Sequence, residues 1–97
     1  MCGITGYIGS GTRAELEAMT RALAHRGPDD EGFIVRPDVG LGHKRLAIID
    51  VTPSGHQPMF TDDQSTAIIF NGEIFNFKVL REELVREGAR FRSTSDT

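Results

Sequence analysis

The sequence contains one cysteine, one tyrosine, no tryptophan and four prolines, and each shortage excludes something. A single cysteine cannot form an internal disulfide, so no covalent staple holds the fold and a reduced, cytoplasmic setting is the default. No apolar run approaches the roughly 18 residues that read as a membrane span, and no hydrophobic signal-peptide region follows Met1. Positive charge is not in excess: 11 Lys and Arg face 14 Asp and Glu, for a net charge of −3. That balance gives no electrostatic ground for a nucleic-acid partner or an anionic membrane surface, and the run His43-Lys44-Arg45 is too short to change it. His25, His43 and His56 lie far apart with no second ligand at metal spacing, so no zinc site is expected. There is no phosphate-binding Gly-x-x-x-x-Gly-Lys and no dinucleotide fingerprint, so no cofactor is expected within this segment.

What remains is the composition of an ordinary globular domain, 38% hydrophobic and 26% charged over 97 residues. A chain of this size buries about 60% of its extended surface and supports one modest core. The predicted fold is α+β. Cys2 to Ile8 alternates small, β-branched and aromatic residues and reads as a strand. Gly9-Ser10-Gly11 is a turn. Thr12-Arg13-Ala14-Glu15 is a capping-box pattern opening a helix, with Leu16, Met19 and Leu23 on one stripe and an end near Gly27-Pro28. Phe33 to Val35, Leu41 to Ile49 and Ala67 to Phe70 read as further strands, the second closed by Asp50 and Pro53. Asn76 caps a second helix in which Phe77, Leu80 and Leu84 share a face and Gly88 is the stop. Phe91 begins a last extended piece. The polar ending Ser93-Thr94-Ser95-Asp96-Thr97 is neither a final core strand nor a helix stop, so the chain reads as the first portion of a domain.

The lone cysteine stands where loss of the initiator methionine would make it N-terminal. A residue so placed carries a thiol, ordinarily of pKa about 8.5, and an α-amine of about 7.7–8.0 on one carbon, so nucleophile and base are covalently linked. An N-terminal amine that activates its own nucleophile is an established route to covalent catalysis. With Met1 attached, the nitrogen is an amide and cannot accept a proton, so activity would depend on processing. The alternative is that Cys2 is a small buried residue.

Other local patterns carry two readings each. His25-Arg26-Gly27-Pro28-Asp29 is explained as a helix end and turn. In Gly42-His43-Lys44-Arg45-Leu46-Ala47-Ile48-Ile49-Asp50 the basic residues are either a solvated edge or, at Arg45, a bidentate holder for a carboxylate. Asn71-Gly72 is either a type I′ hairpin turn or a pair of donors, the Asn71 amide and the Gly72 N–H, aimed at a developing oxyanion. Asp96 is an exposed aspartate or an acceptor for a substrate ammonium.

In order along the chain, Cys2-Gly3-Ile4, the His25 to Asp29 run, the Gly42 to Asp50 run, Asn71-Gly72-Glu73-Ile74-Phe75-Asn76 and Ser95-Asp96 closely resemble the N-terminal glutaminase domain of glutamine-hydrolysing asparagine synthetases. These are class II glutamine amidotransferases of the N-terminal-nucleophile (Ntn) hydrolase fold, a four-layer α/β/β/α sandwich of antiparallel sheets. The resemblance covers residues 1–97. Sister amidotransferases share the Cys and Asn-Gly elements, whereas the Arg45-Leu46-x-Ile48-x-Asp50 stretch is similar to the asparagine-synthetase branch.

The resemblance implies roles residue by residue. Cys2 would attack the γ-carboxamide of glutamine and form a γ-glutamyl thioester, with ammonia released. Asn71 and Gly72 would form the oxyanion hole, and Arg45 would hold the α-carboxylate. Glu73 and Asp96 would receive the α-ammonium, and backbone groups around Leu46 and Ile48 would complete the cradle. No role is implied for His25 to Asp29 beyond positioning. Lys44 stands where a second arginine is frequent, and Phe75 where tyrosine is frequent. The family's glutaminase domain is considerably longer than this chain and is followed by a synthetase domain that uses ATP and magnesium to amidate aspartate. The resemblance therefore implies that synthetase domain as the partner within the parent chain, and leaves a homodimer of the full-length protein open. Two alternatives stand beside this reading: an amidotransferase with another acceptor, and a non-catalytic or inactive fragment.

Overall fold

The structure is a computed structural model that describes all residues from Met1 to Thr97. Three antiparallel strands form the main sheet: β1 (Gly3–Ile8), β2 (Asp30–Arg36) and β3 (Val39–Arg45), in the order β1-β3-β2. A helix, α1 (Arg13–Arg21), crosses one face. A short 3-10 turn, Pro53–Gly55, is followed by a two-stranded antiparallel pair, β4 (Met59–Phe60) and β5 (Ala67–Ile68), and by a second helix, α2 (Phe77–Arg86). This is an α+β arrangement of antiparallel sheets, as the Ntn-hydrolase resemblance implies.

The capping box forms as the sequence predicts. The Thr12 hydroxyl accepts from Glu15 N–H at 3.1 Å, and the Glu15 carboxylate accepts from Thr12 N–H at 3.0 Å. Two of the helix's orphan donors are thereby satisfied. The helix ends earlier than expected, at Arg21, because the following residues tighten into i→i−3 bonds: Leu23 to Thr20, Ala24 to Arg21 and Arg26 to Leu23. Its buried face is Leu16 and Thr20, not the predicted stripe of Leu16, Met19 and Leu23, since Met19 is 41% exposed and Leu23 lies half-buried beyond the helix end. Thr20 is accommodated because its hydroxyl donates to the Leu16 carbonyl at 2.8 Å and meets Thr5 Oγ1 at 2.7 Å.

Register decides what faces the helix and what faces away. Gly3 pairs with Lys44 and Ile4 with His43 across β1 and β3, and Glu31 with Lys44 across β2 and β3. Directly opposed residues share a face, and faces alternate along each strand. Gly3, Thr5, Gly42, Lys44 and Glu31 therefore lie under α1, where Lys44 Nζ reaches Glu31 at 3.2 Å. His43 and Arg45 lie on the opposite face, and the next position outward from Gly3 places Cys2 beside Arg45. Residues 46–75 fold back over this second face. Gly32 permits the approach: a Cβ there would collide with the Gln57 carbonyl.

Several expectations are corrected. The strand predicted from Leu41 to Ile49 runs instead from Val39 to Arg45, because the chain turns at Leu46 to meet Cys2. Ala67 to Phe70 pairs only over Ala67 and Ile68, and no strand forms at Phe91. Asn71-Gly72 is not a type I′ turn: that geometry needs positive φ at both central residues, and neither has it. Asn76 occupies the N-cap of α2 without a side-chain cap bond. The stop at Gly88 is as predicted, with φ +99° and the Schellman pair Gly88 N–H to Val85 and Ala89 N–H to Leu84. The α2 face is not core, however, since none of its residues is buried and Leu80 and Leu84 are exposed. Leu16 is the one buried large apolar residue, so the interior rests on glycine contacts and satisfied polar groups more than on a hydrophobic cluster.

Candidate active site

A cavity of about 430 Å³ opens on the sheet face opposite α1, at the end of β3. Cys2, Arg45, Leu46, Ile48, Asn71, Gly72, Glu73 and Asp96 all line it. The structure thus gathers every residue that the sequence singled out for chemistry around one space, although they span nearly the whole chain.

Cys2 sits at the rim, just before β1. The backbone N–H of Leu46 points at its sulfur at 3.3 Å, and the thiol reaches the Leu46 carbonyl at 3.7 Å. The turn after α1 holds the same residue from behind, where Arg26 Nε donates to the Cys2 carbonyl at 3.1 Å. Asp29 fixes the other partner. Its carboxylate accepts from Ala47 N–H at 2.8 Å, and its own N–H donates to the Arg45 carbonyl at 3.0 Å. The His25 to Asp29 run, which carried no assigned chemistry, is therefore a brace that joins the Cys2 backbone to the Leu46 turn.

The basic residues are not a solvated edge. His43, Lys44 and Arg45 are at most 9% exposed. The Arg45 guanidinium donates to the Thr52 carbonyl at 2.8 Å and to the Asp50 carbonyl, and it lies over Gly55, where any Cβ would displace it. A guanidinium has five N–H donors, so these two bonds orient it while leaving donors for the cavity. Asp50 serves the same loop. Its carboxylate accepts from the Thr52 hydroxyl at 2.5 Å, from Thr52 N–H at 2.9 Å and from Thr94 N–H at 3.0 Å. The Thr52 hydroxyl, followed by the Thr94 and Thr52 amides, lowers its pKa from 3.8 to about 2.

Across the cavity, neither Asn71 nor Gly72 spends a hydrogen bond on the rest of the chain. Their N–H groups are unused within the chain. Asp96 accepts from Ile74 N–H at 2.8 Å through one oxygen, which leaves the other free. Glu73 is exposed at the rim. His43 is fully buried, and its Nε2 lies 3.2 Å from the Phe70 carbonyl. Because a carbonyl only accepts, Nε2 carries the proton, and the buried Nδ1 has no partner. Burial is the main reason its pKa falls below 6.5, opposed by the Phe70 carbonyl and assisted by Arg45.

Sequence reasoning missed Arg26, Asp29, His43, Asp50 and Gln57 as parts of this site. Four of them stand inside motifs quoted for the resemblance; Gln57, beside Pro58 in a polar loop, offered no local signal.

The whole chain, residues 1–97, matches the family model described as a glutamine amidotransferase domain. The chain belongs to that family. It is 41% identical over 104 aligned residues to asparagine synthetase [glutamine-hydrolyzing] 1 of Bacillus subtilis, covering 100% of this chain and 16% of that protein. It is 44% identical over 101 residues to asparagine synthetase [glutamine-hydrolyzing] 2 of Arabidopsis thaliana, covering 99% of this chain and 17% of that protein. This amidotransferase segment thus spans about one sixth of the length of the relatives it matches. No helix is long and apolar enough to cross a membrane.

Proposed function

We propose that the cavity hydrolyses the side-chain amide of glutamine through Cys2, and that the parent protein uses the ammonia to make asparagine from aspartate. The observation that carries this reading is the chemical asymmetry of one pocket. A thiol stands at the rim between Leu46 groups, uncommitted donors at Asn71 and Gly72, a guanidinium at Arg45 and carboxylates at Glu73 and Asp96. A glutamine zwitterion matches that layout. Its α-carboxylate pairs with Arg45 and its α-ammonium with Asp96 and Glu73, which presents the γ-carboxamide to Cys2. Backbone groups at Leu46 and Ile48 line the path of the substrate's aliphatic stem.

The chemistry needs Met1 removed. The freed α-amine takes the thiol proton while sulfur bonds to the amide carbon, and the oxygen collects negative charge opposite the Asn71 amide and the Gly72 N–H. Collapse breaks the C–N bond as the ammonium returns its proton to nitrogen, so ammonia leaves and a thioester remains. Water then attacks the thioester, glutamate departs and the thiol and amine are restored. Donors that need no reorganisation as an oxyanion forms are typically worth about 10²–10³ each in rate.

The resemblance assigns ATP and magnesium to a synthetase domain and not to these residues. The steps above use neither.

The test is the intact mass of the protein after treatment with 6-diazo-5-oxo-norleucine, a glutamine-like alkylator. One adduct on Cys2 in molecules that lack Met1 supports nucleophile, processing and substrate class together. Adducts elsewhere, or equal labelling with Met1 retained, overturn the proposal.

A further inference from the structure

The donors assigned to the oxyanion are not self-supporting. Asn71 and Gly72 belong to no helix or strand and make no hydrogen bond to the chain. Their position is set by what holds the residues on either side. On one side, both backbone groups of Phe70 are captured by buried side chains. His43 Nε2–H donates to its carbonyl at 3.2 Å, and its N–H donates to Gln57 Oε1 at 2.7 Å. His43 is 0% and Gln57 5% exposed. On the other side, Ile74 N–H is held by Asp96. Gln57 is itself anchored, since its Nε2 donates to Thr97 Oγ1 at 3.2 Å and its carbonyl lies over Gly32 of β2. His43 is fixed in β3, opposite Gly32.

We infer that His43 and Gln57 are positioning residues of the glutaminase reaction, which clamp the Phe70 peptide to the central strand and so aim the Asn71 and Gly72 donors into the cavity. This inference rests on the glutaminase reading of the pocket. The chemistry favours it because each side chain supplies the partner the peptide needs, a donor for the carbonyl and an acceptor for the N–H. Both bonds are part-buried and come from side chains of buried residues, so losing either leaves a Phe70 backbone group without its protein partner. The neutral imidazole fits the role: it has one proton to give, gives it to Phe70, and presents only a bare nitrogen to the interior. His43 does not line the cavity, and Gln57, which does, spends its amide on Phe70 and Thr97, so loss of either acts on the donors it places.

Steady-state kinetics on the intact protein tests the clamp with His43→Leu, Gln57→Leu, Asn71→Ala and the two double variants containing Asn71→Ala. Loss of aim lowers kcat for glutamine by about 10- to 100-fold with KM within about threefold of wild type, the scale of a misplaced catalytic group. Alkylation of Cys2 by iodoacetamide, which needs the thiol and no oxyanion donor, keeps its rate. In the Asn71→Ala background the same substitutions cost clearly less than in wild type, because only the Gly72 N–H is left to be misaimed and residues that act through one another are not additive. His43→Gln, which keeps an N–H donor at similar reach, restores turnover, and it carries the test should His43→Leu fail to fold. Full additivity with Asn71→Ala, or equal slowing of iodoacetamide alkylation, overturns the clamp. A wild-type protein that alkylates at Cys2 but hydrolyses no glutamine overturns the underlying glutaminase reading instead.

Discussion

Arg26 and Cys2 are joined by a bond from side chain to backbone: the guanidinium Nε donates at 3.1 Å to the carbonyl of the residue that bears the only thiol. This places a fixed cation behind the Cys2 backbone without occupying the cavity, whose lining does not include Arg26. The bond constrains the first peptide of β1, the least anchored part of any strand.

Arg26→Ala is expected to slow alkylation of Cys2 by 6-diazo-5-oxo-norleucine and to lower kcat for glutamine. A displaced nucleophile costs up to about 100-fold. Arg26→Lys, which keeps the charge but cannot reproduce the Nε geometry, should fall between. An Arg26→Ala protein with wild-type labelling kinetics would remove the brace from the account.

Arg45→Ala is expected to raise KM for glutamine strongly, since the α-carboxylate loses its partner. It should also loosen the Asp50 to Thr52 loop, whose carbonyls the guanidinium holds. Gly55→Ala should act in the same direction by pushing the guanidinium aside. Steady-state KM measurements with glutamine, and with ammonia as the control nitrogen source, separate the two effects. An unchanged glutamine KM in both variants would take Arg45 out of substrate binding.

Acid stability should report on Asp50. Its pKa is depressed in the folded protein to about 2 from 3.8. The folded state therefore binds its proton less readily than the unfolded chain. The resulting stabilisation is present above pH 3.8 and is lost as pH falls through that value toward about 2. Asp63, lowered to about 2 by the Ser65 amide and the Thr61 and Ser65 hydroxyls, contributes in the same window. Thermal melts across that range should show a weaker pH dependence for Asp50→Asn, and weaker still for Asp50→Asn with Asp63→Asn. Identical slopes in wild type and the double variant would contradict the bonding described.

Cys2→Ala is expected to abolish glutamine hydrolysis while ammonia-dependent synthesis by the intact protein continues. The measurement is asparagine formed with each nitrogen source. Residual glutaminase at wild-type rate would exclude Cys2 as the nucleophile.

Much of this site was legible in the sequence because its chemistry sits in short runs. Cys2, Arg45, Asn71-Gly72 and Asp96 each stand inside a recognisable pattern, and a capping box announces α1 through four letters. What could not be read was the direction in which a strand residue points once its register is set. His43, Lys44 and Arg45 look alike as a basic run, yet pairing sends Lys44 under the helix to Glu31 and the other two toward the cavity. Gln57 lay beyond reach for a different reason: its partner is a backbone N–H 13 residues away, and backbone groups leave no mark in a sequence. Of the two readings of Asn71-Gly72, the type I′ turn is the one that drops out, since neither residue takes a positive φ.

The antiparallel register has a corollary. Gly3 faces Lys44 beneath the helix, and His43 faces the Phe70 carbonyl on the other side, only while the residue count through β1 and β3 keeps its parity. Losing or gaining one residue within either strand inverts its faces from that point on, and carries side chains from the cavity side to the helix side. The count of residues between these positions is thus as much a part of the site as the side chains it carries.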